Sequence, residues 1–250
     1  MWGSKAGTVA RHVLPVLLFL GIWQIASYFV SPLVLPSVTA VFRRLGEIVT
    51  QKSFFPTVGT TLLRLLIGLG IGILAGSVIG LVFGLLPRVE AMFSPFVGML
   101  QATPPVCWVV LALVWFGFNG KPCIFIVATA TIPTMVINLS SGIRKVDPEL
   151  LVMAQLFHFS RLRTLRHVLL PSVEPYFRSA LEIVIGTGWK LVVMGEVLTT
   201  NSGIGGAITN ARLNIEPDSI IAWAVLLVLA CFLTQMLLKR LARGREAEVC

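Results

Sequence analysis

The sequence predicts an all-α membrane protein that crosses the bilayer six times and carries one large amphipathic loop. Three observations predict it. The 250 residues are 56% hydrophobic and only 12% charged, with a mean hydropathy of +0.90. A soluble domain carries about 25% charge. The apolar residues gather into runs approaching the ~20 residues that a span needs. The basic residues behind the formal net charge of +9 stand at the ends of those runs. That placement is the signature of membrane topology, and no nucleic-acid partner is expected from it.

In chain order, a short basic tail with Lys5 and Arg11 precedes the first run, 13–30. No small-residue cleavage site follows it, so a removable signal peptide is not expected. Residues 31–56 are more polar, and a surface helix is expected between Ser37 and Thr50 with Ser37 as its cap. The second run, 61–86, carries Gly68, Gly72, Gly76, Gly80 and Gly84, one glycine at every fourth position. In water each would weaken a helix by about 1 kcal/mol against alanine. In lipid the spacing bares one ridge and admits a close neighbour. That neighbour is either a helix of the same subunit or a moving partner. The third run, 91–118, is interrupted by Thr103-Pro104-Pro105, so the span is broken or sharply kinked. Gln101 and Thr103 lie beside the break, which serves either packing or the wall of a permeation path. The fourth run is 123–139. The fifth, 176–198, holds Arg178, Glu182, Lys190 and Glu196; a polar loop, 199–218, follows, and the sixth run, 220–238, ends in four basic residues.

The loop between the fourth and fifth runs is the most polar interruption. Asp147 followed by Pro148 is a helix start, and Glu149 adds negative charge to its first turn. Leu150, Leu151, Ala154 and Phe157 recur at helical spacing. A second start falls at Ser160, with Arg161, Arg163 and Arg166 opposite Leu162, Leu165, Val168 and Leu169. Two short amphipathic helices are expected there, closed by Leu170 and Pro171. With six spans and the N-terminus inside, twelve basic residues fall on the cytoplasmic side (Lys5, Arg11, Arg88, Arg144, Lys145, Arg161, Arg163, Arg166, Lys239, Arg240, Arg243, Arg245). Five fall outside (Arg43, Arg44, Lys52, Lys121, Arg212). The positive-inside rule then puts both termini and the amphipathic loop in the cytoplasm. Its apolar face calls for a cytoplasmic protein partner.

Residues 147–171, DPELLVMAQLFHFSRLRTLRHVLLP, resemble the "EAA" loop of type I, binding-protein-dependent ABC-importer permeases. Ala154, Val168, Leu170 and Pro171 match that pattern; Val152 replaces its glutamate and His158 its glycine. QATPPVCWVVLALVWFG (101–117) is similar to the family's third helix, and GWKLVVMGEVLTTNSGIGGAITNAR (188–212) to the matching region of the nitrate/sulfonate/taurine subgroup. The resemblance implies one transmembrane permease domain over 1–250, of the type I importer fold, with a coupling loop at 143–171. It implies two such subunits around the path, cytoplasmic ATPase subunits that bind ATP and Mg, and an extracytoplasmic binding protein, in a bacterial inner membrane surrounded by lipid. No cofactor, metal or catalytic residue is expected in this chain. The first loop helix would dock in the ATPase, so Asp147, Pro148, Glu149, Ala154, Phe157, His158, Ser160 and Arg161 are the expected coupling residues.

Ionisable groups at membrane depth usually face protein or water. Lys190 and Glu196 lie about 240° apart on a helix and cannot pair with each other. Each needs a partner on another helix or a wet cavity. Gln101, Thr103, Lys190 and Glu196 are the expected path residues, with Lys190 either paired or favouring an anion. The reading is import of a sulfonate, taurine or nitrate, or, with the same machinery, of a vitamin precursor such as a pyrimidine. A secondary carrier has too few spans for two inverted halves. A hydrolase lacks any Ser/His/Asp set or HExxH. Cys107, Cys123, Cys231 and Cys250 form no paired pattern.

Overall fold

A computed structural model describes residues 5–246 and, among them, contains helices and no strand. Eleven α-helices run in order: α1 (Lys5–Phe29), α2 (Val38–Thr50), α3 (Phe54–Leu85), α4 (Pro87–Ala102), α5 (Pro105–Phe116), α6 (Lys121–Arg144), α7 (Pro148–Leu156), α8 (Arg161–Thr164), α9 (Leu170–Thr199), α10 (Gly203–Leu213) and α11 (Pro217–Glu246). By length and composition α3, α6 and the Pro217–Leu238 part of α11 can cross a membrane, and α4 with α5 adds a fourth span if the bent pair is one. The described apolar part of α1, Leu14–Phe29, is shorter. The 30-residue α9 has the length but carries five charges, Glu174, Arg178, Glu182, Lys190 and Glu196. The basic residues Lys5, Arg11, Lys239, Arg243 and Arg245 of the charge count have side chains outside the described part, and Cys250 lies wholly outside it.

Helix starts follow the sequence signals. Ser37 Oγ accepts from the Ala40 amide at 3.2 Å and opens α2. Asp147 Oδ1 accepts from Glu149 N at 2.9 Å and opens α7, with Pro148 in its first turn. Thr103-Pro104 breaks the third run, and α4 and α5 meet at 93°.

At the centre stands α6, where Cys123, Ile126, Val127, Met135 and Val136 are each 1% exposed or less. Along it runs the glycine ridge of α3. A Cβ on Gly68 would meet Val127 Cβ at 2.7 Å; on Gly72, Thr131 Cβ at 2.5 Å; on Gly76, Met135 Cβ at 2.6 Å. Gly80 and Gly84 face Leu139 and Ile143 in the same register. The paired numbers rise together, so the two helices run parallel. The ridge therefore packs within the subunit, and the alternative of a partner helix on this face is set aside. At Gly68, Gly72 and Gly76 backbone and Cβ atoms lie at the contact, so neither side has a flexible end to move there. Gly72→Ala is expected to destabilise the fold by about 1–3 kcal/mol through overpacking, read as a lower melting temperature in detergent.

Two elements differ from the sequence expectation. The second loop helix does not end at Pro171. After α8 the chain takes a π-helical turn, Leu165–Leu169, closed by Leu170 N to Leu165 O, and continues directly into α9. The wider turn makes room for a proline, which lacks an N–H and crowds the preceding carbonyl. The expected polar loop after α9 contains the helix α10.

Candidate functional site

The loops that join α3–α4 and α6–α9 lie at one end of the bundle; those around α10 lie at the other. At the α10 end, the fully buried Glu196 (0% exposed) is the centre of a polar cluster. Its Oε1 accepts from Arg64 Nη1 at 2.7 Å, and its Oε2 from Thr61 Oγ1 at 2.9 Å and Gly205 N at 3.0 Å. Arg64 reaches on to Ser202, donating Nη1 to the carbonyl at 3.1 Å and Nη2 to the hydroxyl at 2.7 Å. Thr61 Oγ1 in turn accepts from Ile204 N at 2.8 Å. Helix α10 thus starts without a side-chain cap from its own Ser202; a carboxylate from α9 and a hydroxyl from α3 take its first free amides. Gly203, at φ +83°, makes the entry turn, and any side chain on Gly205 would overlap Glu196.

The sequence reading named Glu196 and missed Arg64, Thr61 and Ser202. Arg64 is a lone arginine in the leucine-rich start of the second run, and a cation in such a run is itself the signal for a buried partner.

A second ionic knot lies nearby. Arg44 donates Nη1 to Glu47 at 3.0 Å, Nη2 to Glu216 at 2.6 Å and Nε to Ser219 Oγ at 2.7 Å. Hydrogen bonds from Ser219 and then Arg44 hold the Glu216 carboxyl below its ordinary value, and those to Glu47 and Glu216 raise Arg44. The preceding residue, Ile215, sits at φ +58°, an unusual place for a β-branched side chain. Between these knots opens a polar hollow of about 510 Å³, lined by Asn201, Asn210 and Asn214 among others.

The other path candidates are separated from Glu196. Gln101 and Thr103 line a cavity of about 100 Å³ at the α4–α5 break. Lys190 is exposed, has no ion-pair partner among the described residues, and lines a groove of about 460 Å³ between α9 and α11 with Glu182, Thr187 and Gln235. Arg178 pairs with Glu174 at 2.6 Å, one turn earlier on the same helix.

At the opposite end, Arg144 pairs with Glu90, joining α6 to α4. The α7 helix presents Val152 (53% exposed), Met153 (51%), Leu156 (72%) and Phe157 (69%) outward. Asp147, Pro148, Glu149, His158 and Ser160 are exposed beside them. Ala154, also expected to couple, is 4% exposed and packs inward, so it seats α7 on the body. Arg161 starts α8, but its side chain lies outside the described part. His158 takes φ +50°, and the amides of His158 and Phe159 bond to Gln155 O and Ala154 O at 3.0 and 2.9 Å. This is the Schellman end that glycine usually supplies, formed here by histidine.

The pattern of the family described as "Binding-protein-dependent transport system inner membrane component" matches residues 68–246. The chain belongs to that family. The permease is 26% identical to the taurine transport system permease protein TauC of Escherichia coli K12 over 246 residues, 96% of this chain and 89% of that one. It is 30% identical to the putative aliphatic sulfonates transport permease protein SsuC of the same organism (88% and 84% covered). It is 28% identical to the bicarbonate transport system permease protein CmpB of Synechococcus elongatus (88% and 84% covered). Its fold is similar to a chain of the MetNI methionine ABC transporter, with TM-score 0.67 and 18% identity over 76% of this chain and 94% of that one. The permease is thus an inner-membrane transport component with an all-α importer-permease fold.

Proposed function

We propose that the permease imports a small oxyanion of the sulfonate, taurine or nitrate type, driven by ATP hydrolysed in a separate subunit. The observation that carries this reading is Lys190: an ammonium without an ion-pair partner among the described residues, on the outward side of α9, in a groove with room for a small solute. A cation left bare toward hydrocarbon is expensive. A watery path shared with a second copy of the chain gives that face a place, and a lone cation in such a path favours anions. The relatives named for taurine, sulfonate and bicarbonate transport support the same cargo class.

In this reading both termini and α7 are cytoplasmic, and the Arg64–Glu196 cluster lies at the outer mouth. The binding protein delivers cargo at the α10 end. The ATPase, holding ATP and Mg, grips the apolar face of α7. Two copies rock against each other around the path.

The test is uptake by vesicles holding the permease, its ATPase and its binding protein. ATP-dependent accumulation of taurine or nitrate is expected, and Lys190→Met is expected to lower it at least ~10-fold, the scale of one lost charge-assisted interaction. Unchanged uptake with unchanged ion preference removes Lys190 from the path. Uptake by the permease alone, without ATPase, ends the reading.

A further inference from the structure

We infer that the cavity at the α4–α5 break is a seat for one oxygen of the passing oxyanion, and that the indole N–H of Trp108 is the donor that holds it. The inference rests on the import reading above and adds a position and a donor to it.

The cavity lies midway along α6, at the level of Pro133, and therefore near mid-membrane. Its walls explain why it exists. Pro105 at the start of α5 and Pro133 of α6 both face it. Neither has an N–H to give, and their rings keep the two backbones from closing together. The remaining wall comes from Leu100, Gln101, Thr103, Trp108, Ile126 and Ala130.

Trp108 lines the cavity, and its Nε1, shut off from water in this conformation, has no hydrogen-bond partner among the described residues. Two other described tryptophans show the contrast. Trp23 donates to Pro36 O at 3.1 Å and Trp189 to Thr234 Oγ1 at 2.9 Å. An indole nitrogen only donates and cannot turn away to find another acceptor. The other buried unpartnered side-chain atom among the described residues, Ser77 Oγ, is a hydroxyl, which can rotate toward its own helix carbonyls. An N–H kept dry at this depth is costly unless something arrives to accept from it. That something must carry an acceptor oxygen.

Size and charge narrow the class. A volume of about 100 Å³ takes about three waters, or one sulfonate- or nitrate-sized group. No acidic residue lines the cavity to repel an anion. Thr103 Oγ1 is already donated to Met99 O at 2.7 Å, so the exposed Gln101 amide is the second available donor. The first turn of α5 adds the positive end of a helix at the same wall. One or two neutral donors make a weak seat, as a transit site requires.

The test uses the complete transporter in vesicles with taurine and nitrate as probes. Trp108→Phe removes the N–H and keeps an aromatic ring. Ala130→Leu fills the cavity from α6 and leaves the indole in place. Each is expected to raise the KM for the imported probe about ten- to a hundred-fold, by loss of a hydrogen bond to a charged group, with a smaller change in maximal rate. Should Trp108→Phe fail to assemble, Ala130→Leu decides alone. A variant that assembles and keeps the wild-type KM overturns the seat while import stands; the indole then serves a resident water. A wild-type transporter that accumulates an uncharged solute and neither probe overturns both seat and anion reading.

Discussion

Met153→Asp combined with Leu156→Asp is expected to abolish ATP-driven uptake and to release the ATPase from detergent-solubilised permease, while membrane insertion and thermal stability stay unchanged. Both side chains are more than half exposed on α7, so neither supports the fold of this chain. Surface changes of that kind usually move stability by about 0.5 kcal/mol or less. What they alter is a face with no polar purpose of its own. An apolar helix face held outside the bundle, ended by a fixed His158 turn, gains only by burial in a protein cleft. Two carboxylates there add an uncompensated desolvation cost on docking that interface side chains cannot offset. Pull-down of the ATPase with the permease, next to vesicle uptake, checks both halves. Retained ATPase and normal uptake would show that α7 is not the handle.

Arg64→Met is expected to cost about 3–5 kcal/mol, because it strands a carboxylate in a fully buried site. The double variant Arg64→Met with Glu196→Gln should recover most of that loss, since a neutral amide still accepts from Thr61 and Gly205 N. Melting in detergent reads the stability. Uptake by the double variant reads something else. If the fold returns and transport does not, the pair is a working part of the transport machinery at the α10 end; if both return, it is a fastener. A double variant no more stable than Arg64→Met would show that the stranded charge is not the source of the loss.

Local signals in the sequence carried the reading far. Ser37, Asp147-Pro148 and the paired prolines at 104–105 each act within a few residues of themselves, and each element starts or breaks where they stand. The glycine spacing was equally legible, though not the identity of its neighbour, since Gly72 and Thr131 meet only when α3 and α6 align. Elements decided from afar were hidden. Helix α10 is glycine-rich at its start and has a loop-like sequence, because its amides are capped by Glu196 and Thr61, not by residues nearby. Nothing beside Arg64 in the sequence names its partner, which lies 132 positions away. Pro171 signalled a stop, and only the π turn before it lets α9 begin without a gap.

The shared register of α3 and α6 has a mechanical corollary. With a bare ridge of one rod seated on Cβ atoms of the other at each successive turn, the two can neither slip lengthwise nor roll without steric collision. They behave as a single strut from one membrane surface to the other. A push applied at the end that carries α7 arrives at the Arg64 end without being absorbed on the way. Bending must then be sought where the chain is interrupted, at the right-angled elbow between α4 and α5 and the widened turn ahead of α9.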